Sequence, residues 1–330
     1  MSKDYTHLTY EARAQIYALF KVGFSKARIA RELGVHRSTI TREFQRNTGN
    51  RGYRFQKAQE RSEARRSKES PSRKKIQGEV QSWVEEKIQE KWSPEQISGW
   101  LKKNASYTLS HETIYKHLRA DKKAGGELFL HLRHRGKKYN KLRVGVDGKE
   151  AGRGLIPKRK DISERPAIVD KKSRIGDWEA DLIIGANHKG AILSIVERHS
   201  KFTKLALLRG KTADEVNAAI KKILATYKAH VKTITFDNGK EFAQHENCAK
   251  FLGATCYFAR PYHSWERGLN EHTNGLVRQY FPKGTSFDTI TRKKVQFVED
   301  ALNHRPRKIL NFQMPHTVFT AFVKNVALRP

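Results

Sequence analysis

The sequence predicts a multi-domain protein in which two N-terminal all-α modules precede an α/β domain. Short amphipathic helices fill the first 120 residues, and several of them begin at a Ser or Thr. From about residue 161, short apolar runs typical of strands alternate with amphipathic helices. The length of 330 residues suits two or three domains. We therefore expect two helical modules over 1–66 and 76–120, joined by a basic linker over 67–75. A basic connector over 121–160 then leads to an α/β domain over 161–330.

The composition points to a polyanionic partner. The formal net charge is +32 and the sequence pI is about 10.2. A charge of this size says nothing about the fold but favours nucleic acid as a partner. No apolar run approaches the ~20 residues of a spanning helix, and the N-terminus lacks the pattern of a secretory signal. With two cysteines, no disulfide framework is implied, so we expect a cytoplasmic protein without a membrane partner.

The first module, residues 1–66, has the pattern of a helix-turn-helix. Thr9 and Ser25 are suited to cap its first two helices, and a Gly follows each helix. A polar, basic third helix over 36–46 follows the glycine-containing turn, and in a helix-turn-helix the last helix enters the major groove. A plain three-helix bundle with a solvated face is the alternative. The outward residues of the third helix are the DNA-binding candidates: Arg37, Ser38, Thr39 and Arg42.

The second module, residues 76–120, repeats this plan. Ser93 to Gln96 form a capping box with Pro at the first helical position. Ser110 is suited to cap a last helix, whose outward face is less basic than that of the first module. Two DNA-reading modules on the basic linker would gain affinity by effective concentration. The DNA-binding candidates of the last helix are His111, Thr113 and Lys116.

Three carboxylates stand out in the α/β domain. Asp181 lies in the strand-like run WEADLIIG, Asp237 ends the run VKTITFDNG, and Glu271 lies in the helix-like run WERGLNEHTNGLVRQYF. Taken singly, each would be an ordinary turn or surface residue. On two strands and a helix in this order they favour a ribonuclease H-like domain, with an oxygen-rich site for two Mg²⁺ ions. We expect Mn²⁺ to substitute, and phosphodiester chemistry to be the activity.

The choice of acids leaves alternatives. Asp177 and Glu179 flank the first strand, and Asp181 is preferred because strand alternation places Ile183 on its side. Glu266 competes for the third position, but helical geometry turns it away from the preferred third acid.

Residues around Glu271 are candidates for contacts with DNA. Arg267 and Asn274 lie four residues before it and three after it, on the same helical face. Arg267 is suited to hold a phosphate or orient Glu271, with a plain ion pair between the two as the alternative, and Asn274 is suited to contact DNA. His263 and Trp265, just before the helix, are candidates for contacts with a strand end.

Over these segments the chain resembles the IS-thirty family of bacterial insertion-sequence transposases. The resemblance runs from GDWEADLIIG through TFDNGKEF to ARPYHSWERGLNEHTNGLVRQYFPKGTSF, and includes the N-terminal LTYEARAQIYALFKVGFSKARIARELGVHRSTITREFQRN and the C-terminal ALNHRPRKILNFQMPHTVF. It implies a DDE transposase with a retroviral-integrase-like catalytic domain whose acids are Asp181, Asp237 and Glu271. One departure is Asp177, where many members would have His.

The resemblance also implies ligands and partners. The DNA ligands are the terminal inverted repeats of the element and a target DNA. The protein is expected to act at the bacterial nucleoid as a homodimer or higher multimer. Transposition is expected to pass through a circular or joined-ends intermediate. Two alternatives remain. A DNA-binding regulator would be expected to have lost one of the acids, and all three are present. A nuclease that cuts without joining differs only in its products.

Overall fold

The structure is a computed structural model that describes residues 7–69, 76–134, 156–260 and 268–327. The chain forms two compact units, 1–75 and 76–330. Within the described ranges, no helix is both long and apolar enough to cross a membrane.

The first unit is a small helical domain whose helix starts follow the sequence prediction. The Thr9 side chain accepts from the backbone N–H of Ala12, and Ser25 accepts from that of Arg28. Ile16, Ile29, Ile40 and Phe44 form its apolar centre together with neighbouring side chains. Its helices are α1 (Tyr10–Lys21), α2 (Lys26–Glu32), α3 (Arg37–Asn47) and α4 (Phe55–Glu69).

The fourth helix is a difference from the sequence prediction. It runs through Glu69, into the segment 67–75 that was predicted to be a linker. The composition of α4 is mostly polar and basic, but two apolar residues near its start pack against the rest of the unit. Phe55 packs edge-on against Tyr10 with ring centroids 5.3 Å apart, and Ala58 is fully buried.

A buried ion pair joins three helices of this unit. Arg13 of α1 donates from Nε to Glu43 of α3 at 2.9 Å and from Nη1 to Gln59 of α4 at 2.8 Å. The hydroxyl of Tyr53 donates to the same Glu43 carboxylate at 3.1 Å. Burial and the charge of Glu43 raise the pKa of Tyr53, which keeps its hydroxyl protonated as a donor.

The second helical module belongs to the larger unit. As predicted, Ser93 and Gln96 form a reciprocal capping box, and Ser110 accepts from the backbone N–H of Thr113. Its core contains Val84, Ile97, Leu101, Ile114 and Leu118. Its elements are α5 (Gly78–Gln89), α6 (Pro94–Asn104), α7 (His111–Lys123) and a 3-10 helix (Leu128–His131).

A mixed five-stranded sheet forms the centre of the α/β domain. The first three strands form an antiparallel meander, and the last two strands are parallel to the first. The sheet order is β3-β2-β1-β4-β5. The strands are β1 (Asp177–Ile184), β2 (Ala191–Glu197), β3 (Thr203–Leu208), β4 (Thr233–Phe236) and β5 (Thr255–Phe258).

Helices cover both faces of the sheet. The helices of this domain are α8 (Ala167–Asp170), α9 (Ala213–Leu224), α10 (His245–Leu252), α11 (Gly268–Val277), α12 (Arg292–Asn303) and α13 (Pro315–Ala327). Trp178 and Ala180 of β1 face the core formed with α9, α10 and α13, and Ile183 faces the core formed with α11 and α12.

The start of α9 differs in one detail from its sequence pattern. Thr212 accepts from the backbone N–H of Glu215, as a cap should. The Glu215 carboxylate, however, accepts from the backbone N–H groups of Arg209 and Gly210 rather than closing a capping box. It therefore fixes the loop between β3 and α9.

The second helical module packs on the α/β domain through specific contacts. Lys91 donates to the carbonyl oxygen of Gln279 at 3.1 Å, and its ammonium lies 4.2 Å from the centre of the Tyr280 ring. Gly99 of α6 meets Phe312 so closely that an added Cβ would lie 2.2 Å from its ring. The module is thus positioned against the end of the helix that carries Glu271.

We expect Glu43→Ala to destabilise the first unit by about 3–5 kcal/mol, because it leaves the Arg13 guanidinium buried without its carboxylate. Hydrogen exchange of the amides in α1 to α3 would measure this, with the amides of β1 to β3 as an internal reference. Glu32→Ala removes an exposed carboxylate from α2 and is the matched control. Equal protection in the two variants would contradict the role of the ion pair.

Candidate active site

The parallel pairing of β1 with β4 brings the first two predicted acids to the same level. Asp177 pairs with Thr233 and Glu179 with Thr235. Continuing this register by two residues places Asp181 beside Asp237, which directly follows β4. Residues in register on parallel strands point to the same face of a sheet. Both carboxylates are half-buried at the edge where β4 ends.

Helix α11 contacts this pair through Asn274. Its side-chain N–H donates to Asp181 Oδ2 at 2.7 Å, and its amide oxygen accepts from the Ser194 hydroxyl at 2.8 Å. Ser194 is itself the cross-strand neighbour of Asp181. In this structure the Asn274 amide thus orients Asp181, and its contact with DNA stays a prediction.

The third predicted acid, Glu271, lies on the same face of α11. It precedes Asn274 by three residues, about 4.5 Å along the helix axis, and is exposed. Within the described ranges, no three His, Cys, Asp or Glu side chains stand close enough together to hold a metal ion. The continued strand register thus aligns Asp181 with Asp237, and Glu271 shares a helical face with Asn274, but within the described residues the three acids do not form one cluster.

The two alternative first acids have structural partners instead. Asp177 is fully buried and accepts from the Arg174 guanidinium at 2.9 and 3.0 Å and from the Thr233 hydroxyl at 2.8 Å. Glu179 is buried in an ion pair with Arg198. Because a buried carboxylate held by a guanidinium has little freedom to bind a cation, these contacts favour Asp181 as the first acid.

The loop after β4 holds Asp237 in place. Its Oδ1 accepts from the backbone N–H of Gly239 at 2.9 Å. The next residue, Asn238, accepts from Arg159 at 2.6 Å and donates to the carbonyl oxygen of Ala259. Arg159 was not predicted as a site residue, although it lies in the basic connector predicted over 121–160.

This basic run lies beside the acid pair. The backbone N–H of Phe258 donates to the carbonyl oxygen of Lys160 at 2.9 Å, so the segment lies along β5. Lys158 and Lys160 are exposed, and Arg159 is half-buried. The signal in the sequence was the run PKRK, but its position near Asp237 depends on the hydrogen bond from Arg159 to Asn238, which lies 79 residues further along the chain.

The remaining predicted site residues fall into two groups. On α3, Arg37 and Arg42 are exposed and Ser38 and Thr39 are half-buried; on α7, His111 and Lys116 are exposed. Thr113 on α7 is half-buried, with its hydroxyl 2.9 Å from that of Ser110. The second group lies outside the described residues: His263, Trp265, Glu266 and Arg267.

Comparison with known proteins identifies both parts of the chain. A helix-turn-helix domain family matches residues 4–47, and the integrase core domain family matches residues 172–264. The transposase for insertion sequence element IS4351 of Bacteroides fragilis is 42% identical, over 96% of this chain and 96% of that protein. Transposase InsI for insertion sequence element IS30A of Escherichia coli K12 is 36% identical, over 94% of this chain and 83% of that protein.

Among solved structures, the catalytic core domain of BIV integrase matches 47% of this chain and 99% of its own length. The TM-score is 0.38 and the sequence identity 22%.

A helix-turn-helix domain joined to an integrase core domain defines a DNA-binding protein with an integrase-type catalytic domain. The chain belongs to the IS-thirty (IS30) family of insertion-sequence transposases. This confirms the family and the fold class that the sequence indicated, with an N-terminal helix-turn-helix domain and a ribonuclease H-like α/β domain. The individual site residues and the division into five segments remain predictions.

We expect Asp177→Asn to lower the stability of the second unit by about 1–3 kcal/mol, because it breaks the buried contacts with Arg174 and Thr233. Asp181→Asn should change stability by less than about 1 kcal/mol, since that carboxylate is half-buried and its amide replacement still accepts a hydrogen bond. Calorimetric unfolding of the two variants measures the difference. The reverse order of stabilities would argue against Asp181 as the first acid.

Proposed function

We propose that this transposase binds the terminal inverted repeats of an insertion sequence and catalyses metal-dependent cleavage and joining of DNA strands. The observation that supports the proposal is the parallel register of β1 and β4, which aligns Asp181 with Asp237 when it is continued by two residues. The contact from Asn274 to Asp181 supports it, because it ties the helix of Glu271 to the same edge of the sheet.

The residues at this edge suit two Mg²⁺ ions, with Mn²⁺ as a substitute. Carboxylate oxygens are the ligands that such hard cations prefer, and two of the three acids are half-buried at adjacent positions. Asp181 and Asp237 would share the cations, and Glu271 would complete the second site. Bound there, the cations would supply activation of an attacking oxygen and stabilisation of a leaving one.

The protein's own residues would orient the reacting groups. Asn274 donates to Asp181 and the backbone N–H of Gly239 donates to Asp237, and these contacts would limit the reorganisation of the two carboxylates on substrate binding. The exposed Lys158 and Lys160 beside this edge suit the phosphates of a bound strand. A water molecule would first attack at the element end, and the released 3′-OH would then attack the target strand.

The helical modules would deliver the DNA. The exposed Arg37 and Arg42 of α3 suit the major groove of an element end, and His111 and Lys116 of α7 suit a second contact. Because two element ends must be held while each chain carries one set of acids, we also propose a homodimer or higher multimer at the bacterial nucleoid.

We expect Asp181→Ala, Asp237→Ala and Glu271→Ala each to reduce strand transfer by about a hundredfold or more, because losing even a residue that only orients a metal ligand costs about 10–100-fold. The assay joins a duplex ending in the element's inverted repeat to a supercoiled plasmid in Mg²⁺. Glu246→Ala, an exposed acid on α10, is the control. Normal joining by any of the three would refute its assignment, and cutting without joining by the unaltered chain would favour a nuclease.

We expect Arg42→Ala to weaken binding to the element end about tenfold, because each good bidentate base contact contributes about 1–3 kcal/mol. Joining per bound complex should not change. Fluorescence anisotropy with labelled duplex measures the affinity, and Lys250→Ala removes the same charge from an exposed position on α10. Equal binding by the two variants would contradict a role of α3 in DNA recognition.

A further inference from the structure

A cavity of about 910 Å³ lies between the second helical module and α11. Helix α7 lines one side with Tyr115 and Arg119, and α11 lines the other with Leu269 and His272. Glu271 does not line it, so one helix separates the cavity from the candidate active site. The volume is within the range of ~300–1,000 Å³ in which proteins bind small ligands.

The walls of this cavity carry an excess of positive charge. Among the described lining residues the one carboxylate is Glu95, which pairs with Lys308 at 2.6 Å. Arginines and lysines line the rest of its polar wall, including Lys122 at the end of α7 and Arg133, which packs on Gly275 of α11. A cavity lined in this way favours an anionic ligand.

Two of these cations are buried and have no acidic partner among the described residues. Arg305 and Arg307 are 2% and 7% exposed, and both line the cavity. Arg305 donates to Gln279 at 3.1 Å and to the Tyr280 hydroxyl at 3.0 Å. Arg307 donates from Nη2 to the carbonyl oxygen of Leu302 at 3.0 Å. A buried guanidinium without a counter-charge is costly, and the negative charge of an anion in the cavity would offset part of that cost.

The cavity also has aromatic walls. Tyr115 of α7 and Phe129 of the 3-10 helix are half-buried and line it, and the ammonium of Lys122 lies 4.1 Å from the centre of the Phe129 ring. Aromatic rings beside arginines and lysines are the combination that binds an unstacked base together with its phosphate.

We propose that this cavity binds one nucleoside monophosphate unit, with the phosphate at Arg305 and Arg307 and the base against Tyr115 or Phe129. The unit comes either from an unpaired nucleotide of a DNA strand or from a free mononucleotide. The first source rests on the proposed function, since it requires DNA to be the substrate.

Calorimetric titration of the full-length protein with dTMP, thymidine and inorganic phosphate tests this. We expect dTMP to bind at least tenfold more tightly than thymidine or phosphate alone. Lys122→Ala should weaken dTMP binding, whereas Lys123→Ala, the adjacent exposed lysine that does not line the cavity, should not. Arg307→Met should weaken dTMP binding about tenfold or more.

Equal binding of phosphate and dTMP, or equal binding of dTMP by the Lys122→Ala and Lys123→Ala variants, would overturn the proposal. Neither result depends on the folding of a variant with a buried substitution, because both lysines are exposed.

A single-stranded oligothymidylate distinguishes the two sources. Displacement of dTMP by the oligonucleotide, but not by its duplex, assigns the cavity to an unpaired nucleotide of DNA. No displacement by either assigns it to a free mononucleotide, and both results support the shared chemistry. Failure of dTMP to bind a protein that still joins strands would overturn this inference and leave the proposed function intact.

Discussion

The parallel pairing of β1 with β4 is the constraint on which the candidate active site depends. Continued two residues beyond Glu179 and Thr235, this register aligns Asp181 with Asp237, although 55 residues separate them in the chain. The antiparallel meander β1 to β3 provides the other half of the frame, because it places Ser194 opposite Asp181 and within reach of Asn274. A shift of one residue in either pairing would turn these side chains to opposite faces of the sheet.

Three acids on one face of β1 differ in burial, and this difference distinguishes two structural carboxylates from a candidate metal ligand. Asp177, Glu179 and Asp181 alternate along β1, and all three therefore point towards α11 and α12. The first two are buried and paired with arginines, whereas Asp181 is half-buried and receives a neutral amide. The difference is made by Arg174 and Arg198, which lie near the start of β1 rather than near its end.

Helix α11 connects two sites through its opposite faces. Asn274 on one face contacts Asp181 and Ser194 of the sheet, with Glu271 exposed three residues before it, and Leu269 and His272 on the other face line the basic cavity. The second helical module closes that cavity by packing against the end of α11, through contacts such as that of Lys91 with Gln279. A strand bound in the cavity would thus lie one helix away from the acids that are proposed to cut it.

The sequence by itself determined the local elements and the family, and only the tertiary structure decided how distant residues meet. Capping residues predicted the helix starts at Ser93 and Ser110, periodicity predicted strands alternating with helices, and motifs predicted the family. All three are local signals in the sequence. The sequence did not predict the helix α4, the hydrogen bond of Asn274 to Asp181 or the cavity lined by Arg307. Each depends on contacts between segments far apart in the chain, which no local pattern of residues specifies.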